Sequence, residues 1–437
     1  MSKGSSNESI LSIAIPTAVS MLTDSILNII AISYVSLISD VYVGIIGLAS
    51  YLLMIINSIA SIFIVGALVA IAQSYGAGRL DEASRFFGES LILSIALSIP
   101  VAVTTYIFLD NYLILVSGGA LGSLDVARSF MIPRIIGIPI IFINSLIASV
   151  YRGFGRAWPP AIYSITTIII SLLILPRSIE LIHGDPYSQI FWISSSITIS
   201  QYFSLIIYLI LRSPVKPVIS LPGIRSLKLM LIGSPAALER LVSSIGQNIY
   251  VNAVARGGAV ALSAHSIGVN IETIIITPSF SIGIASSAVI GQAVGGDQIE
   301  KIDHLLKQSV KISLLWMSAV AIILISIAPF VGSLFTKDLV IQHLVAIYLI
   351  LAALSEPGLG FSQAYYGAFR GMGSTYVPLI ISVASVLLLR ALPAQILANY
   401  YGAIGAWATQ ISDMYGRTLI SIVLYKILRK RLVIKIV

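Results

Sequence analysis

The chain has 437 residues, of which 57% are hydrophobic and only 10% charged, with a formal net charge of +8. Its mean hydropathy is +0.99. A soluble globular chain carries about 25% charged residues, so a water-soluble fold is excluded and lipid is the solvent. No cysteine is present, which excludes disulfides and thiolate chemistry.

The N-terminal MSKGSSNES runs into a full-length apolar segment, not a short apolar core with a cleavage site, so no cleaved signal peptide is expected. Apolar runs of bilayer-crossing length, about 20 residues, then recur, as at 160–176 and 314–335. Only helices and closed barrels satisfy the backbone in lipid. Barrel strands alternate polar and apolar residues over about 10 positions, and these runs do not. The expected fold is an all-α polytopic membrane protein. A hydropathy window gives about 12 transmembrane helices, centred near residues 24, 57, 103, 141, 168, 200, 241, 275, 321, 354, 387 and 415. The longest expected loops, 73–89, 211–228 and 292–307, leave no room for a soluble domain.

Alternate loops assigned to two faces put about 18 Lys and Arg on one face and about 4 on the other, as the positive-inside rule requires. The basic face holds the N-terminus, the three long loops, Arg152, Arg156, Arg370 and the tail 426–435. Both termini are expected in the cytoplasm, with the chain in the cell membrane. The asymmetry accounts for the basic balance without a nucleic-acid partner.

VYRGFGRAW at 150–158 returns as AFRGMGSTY at 368–376, with Arg152 and Arg370 218 residues apart. ALVAIAQSYGAG (67–78) returns as SSAVIGQAVGG (286–296), with Gln73 and Gln292 219 apart. Pro139 and Pro357 are 218 apart, and Pro16 and Pro235 are 219 apart. Four landmarks at one spacing imply two six-helix lobes: an N-lobe at 1–212, a loop at 213–224 and a C-lobe at 225–437. An even number of spans per half makes the repeat parallel. The repeated Gly and Pro positions read as architecture, with Pro16 and Pro235 as candidate hinges.

These residues resemble the multidrug and toxic compound extrusion (MATE) family. PAALERL (235–241) and ALSAHSIGVNIETIIITPSFSIGIASSAVIGQAVGG (261–296) are similar to its seventh and eighth helices. The two Arg-Gly-x-Gly phrases resemble the ends of helices four and ten; LRALP (389–393) and GAIGAW (402–407) fit helices eleven and twelve. The resemblance implies a V-shaped fold with a central cavity and cation-coupled export of small, often cationic, amphipathic compounds. It also implies a monomer, no cofactor, and H+ or Na+ as coupling ion. Many members carry an Asp on helix one and another on helix five. Here those positions are Ala31 and Leu175, so that proton site does not carry over.

A charge at the bilayer centre costs roughly 2.5–3.5 kcal/mol on insertion scales, so intramembrane acids need a reason. They are Asp24, Glu239, Glu272, Glu356 and Asp413; the bases are Arg134, Arg240, Arg390 and Arg417. Asp413 and Arg417, four apart, read as a structural pair. Glu239 matches the family's seventh-helix Glu, which many members use in coupling; the structural alternative is a pair with an Arg on another helix, such as Arg390. Glu356, before Pro357, lies about a turn from a second C-lobe acid of some members. Glu272 lies two turns after His265 on one helix face, either coupling or fixing helix eight; His265 reads as a packed, hydrogen-bonded landmark. Asp24 shares a face with Asn28 and Ala31 and is the candidate substitute for the missing N-lobe acid. The candidate ion-coupling set is thus Glu239, Glu356, Glu272 and Asp24.

Asn28, Asn57, Gln247, Asn248, Asn270 and Gln363 are candidates to line a substrate cavity, with interhelical hydrogen bonds as the alternative reading. A carboxylate in a low-dielectric cavity holds a proton more readily, so proton and cationic substrate compete for one charge, which suffices for antiport. No phosphate-binding loop motif is present. The histidines, at 183, 265, 304 and 343, show no metal-ligand spacing. The expected partners are a small-molecule substrate and the bilayer. Three rivals stand beside secondary transport. A lipid-linked saccharide flippase of the wider superfamily would use Arg134, Arg240 and Arg390. A membrane enzyme would need a catalytic cluster that is not visible, and a channel would need no gradient.

Overall fold

A computed structural model describes residues 6–117, 124–180 and 185–436; His183 lies outside them. In the first half the helices are α1 (Ser6–Ser36), α2 (Asp40–Gly76), α3 (Leu80–Ile107), α4 (Leu109–Ser117), α5 (Leu124–Ile136), α6 (Ile138–Gly153), α7 (Trp158–Glu180), α8 (Pro186–Ser204) and α9 (Ile206–Ile210). In the second they are α10 (Ile224–Ala255), α11 (Gly258–Gly295), α12 (Lys301–Val331), α13 (Leu339–Gly371), α14 (Tyr376–Ser385) and α15 (Leu392–Leu428). A π-helical segment, Val386–Ala391, joins α14 to α15. No strand occurs among the described residues.

By length and composition, nine helical segments among the described residues are apolar enough to cross a membrane, or ten when the bent pair α5–α6 counts as one span. One of the nine is the 53-residue stretch Tyr376–Leu428. At 1.5 Å per residue it is about 80 Å long, far more than the roughly 30 Å hydrocarbon core. It is broken at Gly402, whose φ of 58° and ψ of −145° no helix contains. The 32-residue α10 is as long as a span but carries Glu239 and Arg240 near its middle. Two passages through 376–428, with α10 added, give the twelve expected from the sequence.

The loops are shorter than the sequence predicts. Gln73 and Gln292 lie inside helices, and the turns between α2 and α3 and between α11 and α12 occupy only 77–79 and 296–300. Polar residues at these ends are competent helix formers, so the helices run on past the apolar limit that the hydropathy window detects.

The doubled Arg-Gly-x-Gly phrase is a helix stop. Gly155 and Gly373 take φ of 77° and 87°, the left-handed conformation open to glycine. Arg156 N–H donates to the Tyr151 carbonyl and Ser374 N–H to the Phe369 carbonyl, both at 2.9 Å. These are the six-to-one bonds of a Schellman cap, formed identically in both copies. Other caps are side-chain acceptors: Asp338 takes Val340 N–H at 2.8 Å, and Asp185 takes Tyr187 N–H at 3.2 Å.

Two compact units emerge. One holds Val19–Ile71 and Arg79–Ser234; the other holds the chain up to Ala18, Ala72–Gly78 and Pro235–Val437. Compared with a simple split at the loop 213–224, one unit takes two short pieces of the first half and the other takes the start of α10 up to Ser234. The piece of α10 before Pro235 belongs to the first unit because it packs there backbone to backbone. A Cβ on Gly233 would sit 2.1 Å from the Ile62 carbonyl oxygen, and one on Gly66 2.4 Å from that of Leu229. The chain changes unit two residues after Pro16 and immediately before Pro235. Of the other repeated pair, Pro357 lies within the continuous α13, whereas Pro139 follows a 45° break at Gly137.

In the second unit the repeated segments around Gln73 and Gln292 meet. A Cβ on Gly76 would lie 1.9 Å from the Gln292 carbonyl oxygen, and one on Gly295 1.9 Å from that of Gln73. The repeat is thus reciprocal in space as well as in sequence.

Candidate functional site

Three helices and the π-segment build a polar cluster inside the second unit. α11 presents His265 and Glu272 on one face, as their seven-residue spacing requires. α13 contributes Tyr348, Ser355 and Glu356. α15 contributes Gln410, Asp413 and Arg417, spaced along a single face. The π-segment, a wide turn frequent at functional sites, carries Arg390 inward.

Glu272 accepts hydrogen bonds from the Tyr348 hydroxyl and from Gln410 Nε2. Gln410 also donates to Ser355 Oγ at 3.2 Å and accepts from Arg390 Nη2 at 3.2 Å. The Arg390 guanidinium lies 4.4 Å over the Tyr250 ring and 3.8 Å from Asp413. Asp413 is fully buried and takes a bidentate pair from Arg417, Nε and Nη2 each at 2.8 Å. Its remaining partner is the Ser385 hydroxyl. The pair on one helix face is the one that the i, i+4 spacing predicts.

Glu356 differs from the other described acids of the unit. It is 0% exposed, and neither carboxyl oxygen has a hydrogen-bond partner. It lies within electrostatic reach of Glu272 and Arg390. The cluster therefore holds three carboxyls, Glu272, Glu356 and Asp413, against two guanidiniums, and Glu356 is the one with no hydrogen-bond partner. Burying an unpaired charge is costly unless it is neutralised.

Glu239 pairs with Arg370, Nη2 to Oε2 at 2.8 Å, and not with Arg390, which Tyr250, Gln410 and Asp413 occupy. The Ser382 hydroxyl lies 3.4 Å from Glu239 and 3.2 Å from the Tyr366 hydroxyl. Arg417 is within electrostatic reach of both Tyr366 and Glu239. Glu239, Asp413, Glu272 and Glu356 are thus linked in this unit by hydrogen bonds, ion pairs and electrostatic reach, through Arg390 and Arg417. The neighbouring Arg240 is exposed.

His265 packs against the rings of Tyr250, Tyr348 and Trp407, with centroids at 5.7, 5.3 and 6.5 Å. Its Nδ1 has no hydrogen-bond partner, so it is packed as the sequence suggests but not hydrogen-bonded there. Among the described residues no three His, Cys, Asp or Glu side chains converge as metal ligands would.

The first unit carries a smaller counterpart. The repeat mate of Glu239 is Ser20, 219 residues earlier; those of Ser382 and Arg370, each 218 earlier, are Ser164 and Arg152. Ser20 Oγ and Ser164 Oγ are 2.8 Å apart, which reproduces the Glu239–Ser382 contact with a hydroxyl in place of the acid. Asp24, one turn further along α1, is exposed and lies beside Ser164 and in reach of Arg152. Tyr151, Tyr208 and Tyr163 stack next to them, at 5.5 and 5.3 Å between centroids. Arg134 is buried elsewhere in this unit, 5.5 Å from the Phe130 ring. Ala31 and Leu175, the positions of the absent aspartates, are 1% and 0% exposed. Ala31 does not share the exposure of Asp24 and Asn28.

The candidate cavity residues divide. Asn28, Asn57, Asn248 and Asn270 are exposed, Gln247 is half-buried and Gln363 is buried. The amides of Asn57, Asn248 and Asn270 do not bridge helices. Each donates to the carbonyl four residues back on its own helix, at 2.9 Å. Gln410, Tyr348 and Ser355 escaped the reading by sequence. Gln410 shares the i, i+3, i+7 face of Asp413 and Arg417, a signal that could have found it; Tyr348 and Ser355 carry none.

The MatE family model matches residues 16–176 and 235–396, once in each half. A Thermotoga maritima protein named probable multidrug resistance protein NorM is 24% identical over 87% of this chain and 83% of its own. A Shewanella oneidensis protein named FAD transporter is 22% identical over 79% of this chain and 78% of its own. A solved structure described as an outward-facing multidrug resistance MATE family transporter superposes with a TM-score of 0.88 at 23% identity, covering 98% of this chain and 96% of that one. Another, a MOP superfamily transporter from Pyrococcus furiosus, gives 0.87 at 22% identity over 98% and 96%. The fold is theirs, and with the family model matched over well more than half its length the chain belongs to the MatE family of multi-pass membrane transporters.

Proposed function

We propose that the protein is a secondary antiporter of the cell membrane that exports small amphipathic, often cationic compounds against entry of H+ or Na+. It acts as a monomer, by alternating access of its two six-helix halves, with both termini in the cytoplasm. The observation that carries this reading is Glu356, fully buried with neither oxygen partnered, beside Glu272 and Arg390. A proton or a small cation removes the cost of that arrangement, and the hydrogen bonds and ion pairs through Glu272, Arg390 and Asp413 carry the change towards Arg417 and Glu239. Pro16 and Pro235, where the chain passes between units, serve as hinges, and Asp24 supplies the N-half acid. The relatives named for multidrug resistance support the substrate class.

The test is counter-transport of a fluorescent organic cation in liposomes under an imposed pH or Na+ gradient. One gradient drives dye uptake in the wild type, and Glu239→Gln, folded, does not respond. Indifference to both gradients would remove the antiporter reading and turn attention to flipping of a lipid-linked saccharide.

A further inference from the structure

A groove of about 720 Å³ opens between α12, α13 and α15 and shares no residue with the carboxylate cluster. It lies where α12 begins and where α13 and α15 end. Its mouth is strongly basic. Lys307 and Lys311 stand one turn apart on α12, and Lys426 faces them from α15; all three are exposed. Among the described residues none of the three has an ion-pair partner. Among the described lining residues the one acid, Asp303, is already held, by Arg429 at 2.8 Å and by the Tyr425 hydroxyl at 2.6 Å. The lysine field at the mouth is therefore uncompensated.

Further along the helices the lining turns apolar. Leu315 lies eight residues beyond Lys307, about 12 Å deeper along the α12 axis. Leu314 lies beside it, and Phe361 closes the opposite wall, stacked on Tyr365 at 5.2 Å. A soluble anion would satisfy the mouth and leave that wall bare. An acyl chain alone would satisfy the wall and leave the lysines unmatched. The polarity runs basic at the helix ends and apolar towards the middle of the spans, in the order of a phospholipid from headgroup to tail. Basic pockets between transmembrane helices take anionic headgroups in this way.

We propose that this groove is a binding site for an anionic phospholipid, with its phosphodiester on Lys307, Lys311 and Lys426 and an acyl chain against Leu314, Leu315 and Phe361. The site does not depend on the transport reading.

The experiment is native mass spectrometry and lipid competition on the purified full chain. The probes are dioleoyl-phosphatidylglycerol, dioleoyl-phosphatidylcholine and soluble sn-glycerol 3-phosphate. The wild type retains phosphatidylglycerol in preference to phosphatidylcholine, and glycerol phosphate does not displace it. The triple variant Lys307→Gln/Lys311→Gln/Lys426→Gln loses on the order of a hundredfold in phosphatidylglycerol affinity, at severalfold per basic contact. Its melting temperature in phosphatidylcholine stays at the wild-type value, since all three side chains are exposed. A second variant, Leu314→Trp, keeps every charge, fills the apolar wall and weakens lipid retention. Equal retention of the two lipids, wild-type retention by the triple variant, or displacement by glycerol phosphate at concentrations comparable to the lipid would each overturn the proposal.

Discussion

Replacing Asp413 by asparagine removes one charge and almost no volume. Asp413 is 0% exposed and receives two bonds of 2.8 Å from Arg417, with Arg390 3.8 Å away. Asp413→Asn leaves the Arg417 guanidinium buried without its bidentate carboxylate. Removing one partner of a buried pair costs roughly 3–5 kcal/mol, mostly as the uncompensated charge that remains. At roughly 2–4 °C per kcal/mol for a unit of about 200 residues, the melting midpoint falls by on the order of 10 °C. The assay is thermal unfolding in detergent followed by tryptophan fluorescence, with Trp407 lying close by on α15. The paired variant Asp413→Leu/Arg417→Met removes both charges and recovers most of the loss; Arg390 keeps Gln410 and the Tyr250 ring. If Asp413→Asn unfolds within a degree of wild type, or if the double variant is no better than the single, the charge balance described for this cluster is wrong.

Gly295→Ala places a methyl 1.9 Å from the Gln73 carbonyl oxygen, a backbone atom that cannot rotate away. Overpacking of this kind costs about 1–3 kcal/mol, so lower yield and a lower melting midpoint are expected, and Gly76→Ala should match it because the crossing is reciprocal. Asp24→Asn lowers transport with little change in stability, since its side chain is exposed; unaltered transport would remove Asp24 from the coupling set. Outside the spans, Arg128 holds Asp110 at 2.6 Å, and these hydrogen bonds lower the Asp110 carboxyl below its ordinary value of 3.8. The stability it adds is complete above that value and lost as pH falls through the lower native one. Both side chains are about 42% exposed, so Asp110→Asn costs at most about 1 kcal/mol at pH 7, and the cost shrinks as pH falls below 3.8, a trend read by melting across the acid range.

Much of the architecture is legible in the sequence because lipid restricts the backbone so severely. Span number, the internal repeat and the Schellman stops at Gly155 and Gly373 follow from hydropathy, spacing and glycine placement. Hydropathy missed the helix ends at Gln73 and Gln292, because polar residues extend a helix beyond the membrane as readily as apolar ones. It also gave no sign that the first turns of α10 pack with the N-terminal half, a choice made by the close contacts of Gly66 and Gly233. The acids are visible one by one, as charges that an apolar helix must explain. Their partners are not, because pairing is a matter of distance between helices. Thus Glu239 takes Arg370 instead of Arg390, Glu272 takes Tyr348 and Gln410, and Glu356 takes none. The Ser20–Ser164 contact becomes meaningful only when set on its repeat mate Glu239–Ser382.

The most direct test of the central claim is ion-driven dye exchange in liposomes with Glu356→Gln, alongside its melting midpoint in detergent. Removing a buried, unpartnered acid relieves the fold, so the variant melts at or above the wild-type temperature while gradient-driven exchange is lost. A variant that keeps full gradient-driven exchange, or one that is markedly destabilised, would contradict the assignment of Glu356 as the coupling carboxyl.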